Sequence, residues 1–138
     1  MQQKLKIGVF GVWRGLAFIK ALQKIDEADV TAICDRDEGK VREALKFCPS
    51  GVKVCADFDE LIHSGIDAVV LGNYFDEHAP FAVRAMQAGV DVFSETTPAF
   101  TLKECVELVE AVEQTGRTYA LAENYPFYRA NREITRVY

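Results

Sequence analysis

Short apolar runs alternate with amphipathic helical patterns along the whole chain, and this alternation restricts the fold more than any other feature. The apolar runs cover Leu5–Phe10 and residues 29–34, 52–56, 66–71, 90–93 and 118–122. After the first run, Ala17, Ile19, Leu22 and Ile25 fall at roughly helical spacing; after the second, Val41, Ala44, Leu45 and Cys48 share one face. Asp57 reads as an N-cap with Glu60 completing a capping box, and opens a short helix ended near Gly65. His78, Phe81, Ala82, Ala85 and Met86 repeat at i, i+3, i+4, i+7 and i+8 until Gly89 stops the pattern. Thr101 and Glu104 form a second capping box, and the helix they open is expected to bury Leu102, Cys105, Val106, Val109 and Val112. Strands this apolar, separated by helices, are buried on both faces. Six of them joined by right-handed crossovers predict an α/β fold, a doubly wound parallel sheet with helices on both faces.

In such a sheet ligands bind beyond the carboxyl ends of the strands. The polar and glycine residues outside the core collect there: Gly11 to Gly15, Asp35, Gly72 to Phe75, Glu95 to Pro98 and Glu123 to Tyr125. The first turn, Gly11-Val-Trp-Arg-Gly15, follows a strand and opens a helix, which is how a chain presents backbone N–H groups to a phosphate. It is an incomplete G-x-G-x-x-G fingerprint: Gly11 fits the first position, Trp13 occupies the second, Leu16 the third, and Gly15 stands one residue early. A side chain at the second position must point away, or the phosphate must sit farther out; Arg14 can compensate by direct contact. Asp35 ends the second strand 24 residues after Gly11. A dinucleotide fold places an acidic residue roughly 20 residues on, where it accepts from the ribose hydroxyls. That carboxylate repels a 2′-phosphate, so NAD is favoured over NADP, although Arg36 and Arg14 are cations able to pair with one.

The remaining composition excludes several classes. A net charge of −5 speaks against nucleic acid or an anionic membrane as partner. No apolar run reaches spanning length, and the Met1-Gln-Gln-Lys4 start carries no signal-peptide core, which predicts a cytoplasmic protein. Cys34, Cys48, Cys55 and Cys105 form no C-x-x-C pair, so four reduced cysteines in or beside the core are expected. His63 and His78 are not at ligand spacing to any cysteine pair, and no metal site is expected. Residues from Arg129 onward read as a helix that runs to the end of the chain without a cap, which suggests a longer parent protein.

The chain resembles the glucose–fructose oxidoreductase, inositol dehydrogenase and rhizopine-catabolism family (Gfo/Idh/MocA) in its N-terminal Rossmann domain. The matching stretches are Lys6-Ile-Gly-Val-Phe-Gly11, Ala32-Ile-Cys-Asp-Arg-Asp37, Asp67 to Asn73 with His78 following, Ala85 to Glu95, and Pro98-Ala-Phe-Thr101. The resemblance implies a dinucleotide-binding domain over residues 1–124, with 125–138 starting the connection to a missing C-terminal domain. That absent domain would carry much of the substrate site and the homo-oligomer contact, so these residues alone are expected to turn nothing over. It places Asn73, His78 and Glu95 near the nicotinamide, though His78 equally suits a helix-start histidine bonded to backbone.

The family signature after the fifth strand is Glu-Lys-Pro, whose lysine assists proton transfer. Here Glu95-Thr96-Thr97-Pro98 matches at Glu95 and Pro98 with one extra residue, and Thr96 or Thr97 takes the lysine position. A threonine hydroxyl hydrogen-bonds but does not act as an acid–base group near neutral pH. Lys103 lies beyond the cap of the next helix and is not a substitute. The Thr97–Pro98 bond is open to either isomer. One branch of the family, the NAD-dependent α-N-acetylgalactosaminidases, also departs from Glu-Lys-Pro and resembles this chain at Ser94-Glu95 and at Glu123-Asn124, with Tyr125 and Tyr128 following. The expected function is hydride transfer between NAD and a sugar, cyclitol or related polyol. A glycosidase working through transient oxidation and elimination is the first alternative, and a non-catalytic dinucleotide-binding protein the second.

Overall fold

The computed structural model describes residues 4–137. The N-terminal stretch Met1 to Gln3 and Tyr138, over which two of the sequence expectations extend, lie outside the described residues. Six parallel strands form one sheet in the order β3-β2-β1-β4-β5-β6. They are β1 Leu5–Phe10, β2 Ala28–Cys34, β3 Lys53–Val54, β4 Ala68–Leu71, β5 Asp91–Ser94 and β6 Tyr119–Leu121. Between and after them lie α1 Val12–Leu22, α2 Glu38–Leu45, α3 Phe58–Ile62, α4 His78–Gln87, α5 Leu102–Thr115 and α6 Arg129–Val137. Strand order reverses between β1 and β4, and the carboxyl ends of these two strands define the topological switch point.

The two-residue period of a strand sends neighbouring side chains to opposite faces. Phe10, Ala32, Cys34, Val69, Leu71 and Val92 join Phe58, Leu61, Ala82, Met86 and Leu108 in one core under α3, α4 and α5. Ile7, Val9, Val30, Ile33 and Val70 point the other way, onto Val12, Ile19, Val41 and Ala44 of α1 and α2. The expectation of strands buried on both faces holds at the centre and fails at the edges. In β3 both Lys53 and Val54 are exposed, and β6 is at best half-buried, because an edge strand has a covering element on only part of its surface.

Local signals translate unevenly. The box at Thr101 forms completely: its hydroxyl accepts from Glu104 N–H, and the Glu104 carboxylate accepts from Phe100 and Thr101 N–H. At Asp57 the cap forms, but Glu60 takes the N–H of Ala56 instead of Asp57's own. Helix α1 ends at Leu22, so Ile25 falls in the turn beyond it and is exposed. Leu45 is exposed and Cys48 lies past the end of α2. The largest correction concerns α5. Its buried residues are Leu108 and Ala111, with Val112 half-buried, whereas Leu102 is 82 % exposed and Cys105, Val106 and Val109 are exposed too. The helix is apolar along two stripes, and the stripe facing α4 is the one containing Leu108. All four cysteines are free; Cys34 and Cys55 are buried, Cys48 half-buried and Cys105 exposed. Among the described residues no helix is long and apolar enough to cross a membrane.

Candidate functional site

The chain leaves β1 through Gly11, whose φ of 81° lies in the left-handed region that favours glycine. Its position is also sterically closed: a Cβ there would meet Gly72 and Asn73 backbone atoms. Gly11 N–H donates to the Cys34 carbonyl at 2.9 Å, and Gly72 N–H donates to the Phe10 carbonyl at 2.7 Å. The turn is thus stitched to the ends of both neighbouring strands. Gly15 does not flank this turn as the sequence suggested. It lies inside α1, buried, where a Cβ would run into the Val9 side chain, so its task is close helix–strand packing. That is the task the third glycine of a dinucleotide fingerprint performs.

Gly11, as the N-cap of α1, has no side chain to cap the helix, and no acidic residue occupies the first turn. Asp35 supplies the missing acceptor from the end of β2: its Oδ2 accepts from Val12 N–H at 2.9 Å and its Oδ1 from Asp37 N–H at 3.0 Å. The carboxylate therefore stands at the positive end of the α1 dipole, beside the turn, and is not a solvated loop group. Each oxygen keeps acceptor capacity for a further hydroxyl.

A cleft of about 510 Å³ opens over this arrangement, along the carboxyl ends of β1, β2, β4 and β5. Of the expected cofactor residues, Gly11, Trp13, Arg14, Asp35, Arg36, Asn73, His78 and Glu95 line it; Gly15 does not. Trp13 stands 70 % exposed at the rim and leaves the approach to the turn open. Arg14 reaches across the cleft to Glu95, 3.3 Å from its Oε2. Arg36 donates through both terminal nitrogens to Glu77 Oε1 at 3.0 Å. Two buried acceptors in the cleft wall, Asn73 Oδ1 and Glu77 Oε2, have no protein partner.

His78 is 1 % exposed at the start of α4. Its Nδ1 lies 2.8 Å from the Thr97 carbonyl and its Nε2 3.3 Å from the Asn73 carbonyl. Both ring nitrogens face backbone carbonyls. The ring thus ties the loop after β4 to the loop after β5, in the backbone-bonded role. Thr96 lines the cleft, and the cis peptide in this loop is Thr96–Thr97, not Thr97–Pro98.

Sequence reasoning missed Asp37, Lys40 and Glu77, which also line the cleft. Lys40 lies one turn into α2 and Glu77 in a 3-10 turn before α4, so only the sheet order brings them together. Glu123 to Tyr125, at the end of β6, are not among the lining residues. Among the described residues no group of three or more His, Cys, Asp or Glu is placed to hold a metal ion.

Comparison with known proteins places this geometry. The model of the Gfo/Idh/MocA oxidoreductase family, NAD-binding Rossmann fold, matches residues 5–123. A glycosyl hydrolase family 109 protein of Stenotrophomonas maltophilia is 32 % identical over 92 % of this chain, and one of Shewanella pealeana 29 % identical over 91 %. The chain spans about 30 % of the length of these relatives. The crystal structure of scyllo-inositol dehydrogenase from Lactobacillus casei with NAD(H) and scyllo-inositol superimposes with a TM-score of 0.83 at 26 % identity, over 98 % of this chain and 41 % of that one. With its sheet order, glycine turn and strand-end aspartate, the chain belongs to the Gfo/Idh/MocA oxidoreductase family, as its NAD-binding Rossmann domain.

Proposed function

We propose that the cleft binds NAD in preference to NADP, and that the chain is the nucleotide-binding part of an oxidoreductase acting on a sugar, cyclitol or related polyol. The observation that carries this reading is Asp35, fixed at the mouth of the glycine turn by Val12 and Asp37 N–H with acceptor capacity to spare. The α1 N-terminus and Arg14 suit the pyrophosphate, since the first turn offers backbone donors and Arg14, paired with Glu95 across the cleft, adds a positive charge. Asp35 suits the adenosine ribose hydroxyls, and Arg36 borders the same end. Asn73 and Glu95 line the stretch of the cleft toward the nicotinamide, with His78 holding their loops together. NAD, when bound, supplies a hydride acceptor; the residues of this chain bind and orient it. Residues 125–137, with no buried residue in α6, are proposed as the start of the connection to a substrate-bearing domain.

A second reading is supported by the two family 109 glycosyl hydrolases to which the chain is similar, and by the resemblance that sets Thr96 or Thr97 at the family's lysine position, Thr96 being in the cleft wall. In the longer protein, cleavage of a nitrophenyl glycoside without net NADH production separates it from the dehydrogenase.

The direct test uses Trp13, the single tryptophan at the rim of the cleft. Titration of the folded chain with NADH and, separately, NADPH is expected to quench its fluorescence saturably, more tightly with NADH. A folded chain that binds neither dinucleotide overturns the proposal.

A further inference from the structure

Both cations at the Asp35 end of the cleft are already matched with carboxylates. Arg36 donates to Glu77 Oε1 through two nitrogens at 3.0 Å, and Lys40 Nζ lies 3.9 Å from Asp37 Oδ2. Asp35 adds a third carboxylate against these two cations, so this end of the cleft carries a formal charge of −1. Glu77 differs from the others in position. Its side chain is half-buried, 30 % exposed, and its Oε2 is buried with no protein partner. It comes from the far wall of the cleft, the 3-10 turn after β4, and holds Arg36 across the gap.

We infer that Glu77 is a specificity-determining residue, which excludes a 2′-phosphorylated dinucleotide by neutralising Arg36. The inference rests on the proposed dinucleotide site and adds a second discriminator to Asp35. A 2′-phosphate brings a charge of about −1.5 to −2 to a place where Arg36 and Lys40 are the natural partners. With Glu77 present, the phosphate must displace a carboxylate from Arg36 and leave it in a half-buried position without a counter-ion, which is costly. Without that charge, Arg36 is free to make the bidentate phosphate contact for which guanidinium geometry is suited. The 2′-hydroxyl of NAD imposes no such exchange, so the arrangement selects against one ligand without improving contacts to the other.

The test compares the affinities of the 138-residue chain for NADH and NADPH in low salt, read by Trp13 fluorescence. Glu77→Gln keeps shape and hydrogen bonding, and is expected to shift the NADH-over-NADPH ratio toward NADPH by about tenfold, through tighter NADPH binding. Glu77→Asp retains the charge and is expected to leave the preference for NADH in place. Asp37→Asn supplies an independent arm: its side-chain oxygen still caps α2 through Gly39 and Lys40 N–H, while Lys40 loses its carboxylate, so a smaller shift of the same sign is expected. An unchanged ratio in Glu77→Gln, with NADH binding intact, overturns the inference whatever Asp37→Asn does, and leaves the proposed function standing. A folded wild-type chain that binds neither dinucleotide overturns both.

Discussion

Gly11 shows why single residues dominate the site. Its left-handed φ and its close approach to the Gly72 and Asn73 backbone leave no room for a Cβ. Both penalties act on backbone atoms, which cannot rotate away as a flexible side chain does. Gly11→Ala is therefore expected to lower stability by about 3 kcal/mol or more, measured by chemical denaturation, with dinucleotide binding lost in whatever fraction folds. Asp35 was legible in the sequence because a strand end and a spacing from Gly11 place it; its second task, capping α1 in place of the glycine, was not. That bond joins residues 23 apart and exists only once β1 and β2 are paired. Likewise Glu77 and Lys40 carry no local signature, and enter the cleft only because three separate loops converge at the switch point.

At the scale of elements, signals confined to a few residues were the readable ones. The Thr101–Glu104 box is written in four consecutive residues, and it forms as written. Phe100 and Thr101 N–H hold the Glu104 carboxyl below its usual range, so the box is intact near neutrality. A depressed carboxyl contributes stability above its unfolded pKa and loses it as pH falls through the folded one; the box weakens only in acid. Thr101→Ala is expected to cost about 1 kcal/mol, seen as a lower denaturation midpoint with an unchanged slope. The buried stripe of α5 was not readable, since Leu102, Val106 and Val109 present a helical period as good as that of Leu108 and Ala111. Which stripe is covered depends on how α5 crosses α4, and that is a tertiary fact.

For the whole molecule, the alternation of apolar runs and helical patterns fixed six strands and their parallel sense, since each crossover returns over a helix. Edge positions followed less well: the apolar character of residues 52–56 and 118–122 implied full burial, and both strands lie at the margins of the sheet. The protection of the core is directly measurable through the thiols. Burial pushes Cys34 up to about 12, with Cys55 and Asp35 beside it adding to the effect, and Cys55 and Cys48 are raised by burial as well. Iodoacetamide at mildly alkaline pH is expected to label exposed Cys105 first. Cys34 and Cys55 should react only when the sheet opens, at a rate that rises with denaturant. Labelling of Cys34 as fast as Cys105 in the native protein would contradict the packing described above.

The strand order also has a consequence for the chain as it emerges from the ribosome. Of these six strands β1 is made before the others, and it lies at the centre of the finished sheet, between β2 and β4. Its β2 side pairs early, but its other side waits for Ala68–Leu71, about sixty residues later. Until then Ile7, Val9 and Phe10 sit on a strand with an open edge, apolar on both faces, of the kind that recruits other chains. The nascent protein is thus most vulnerable to misassociation over the interval between making its glycine turn and making the strand that closes it.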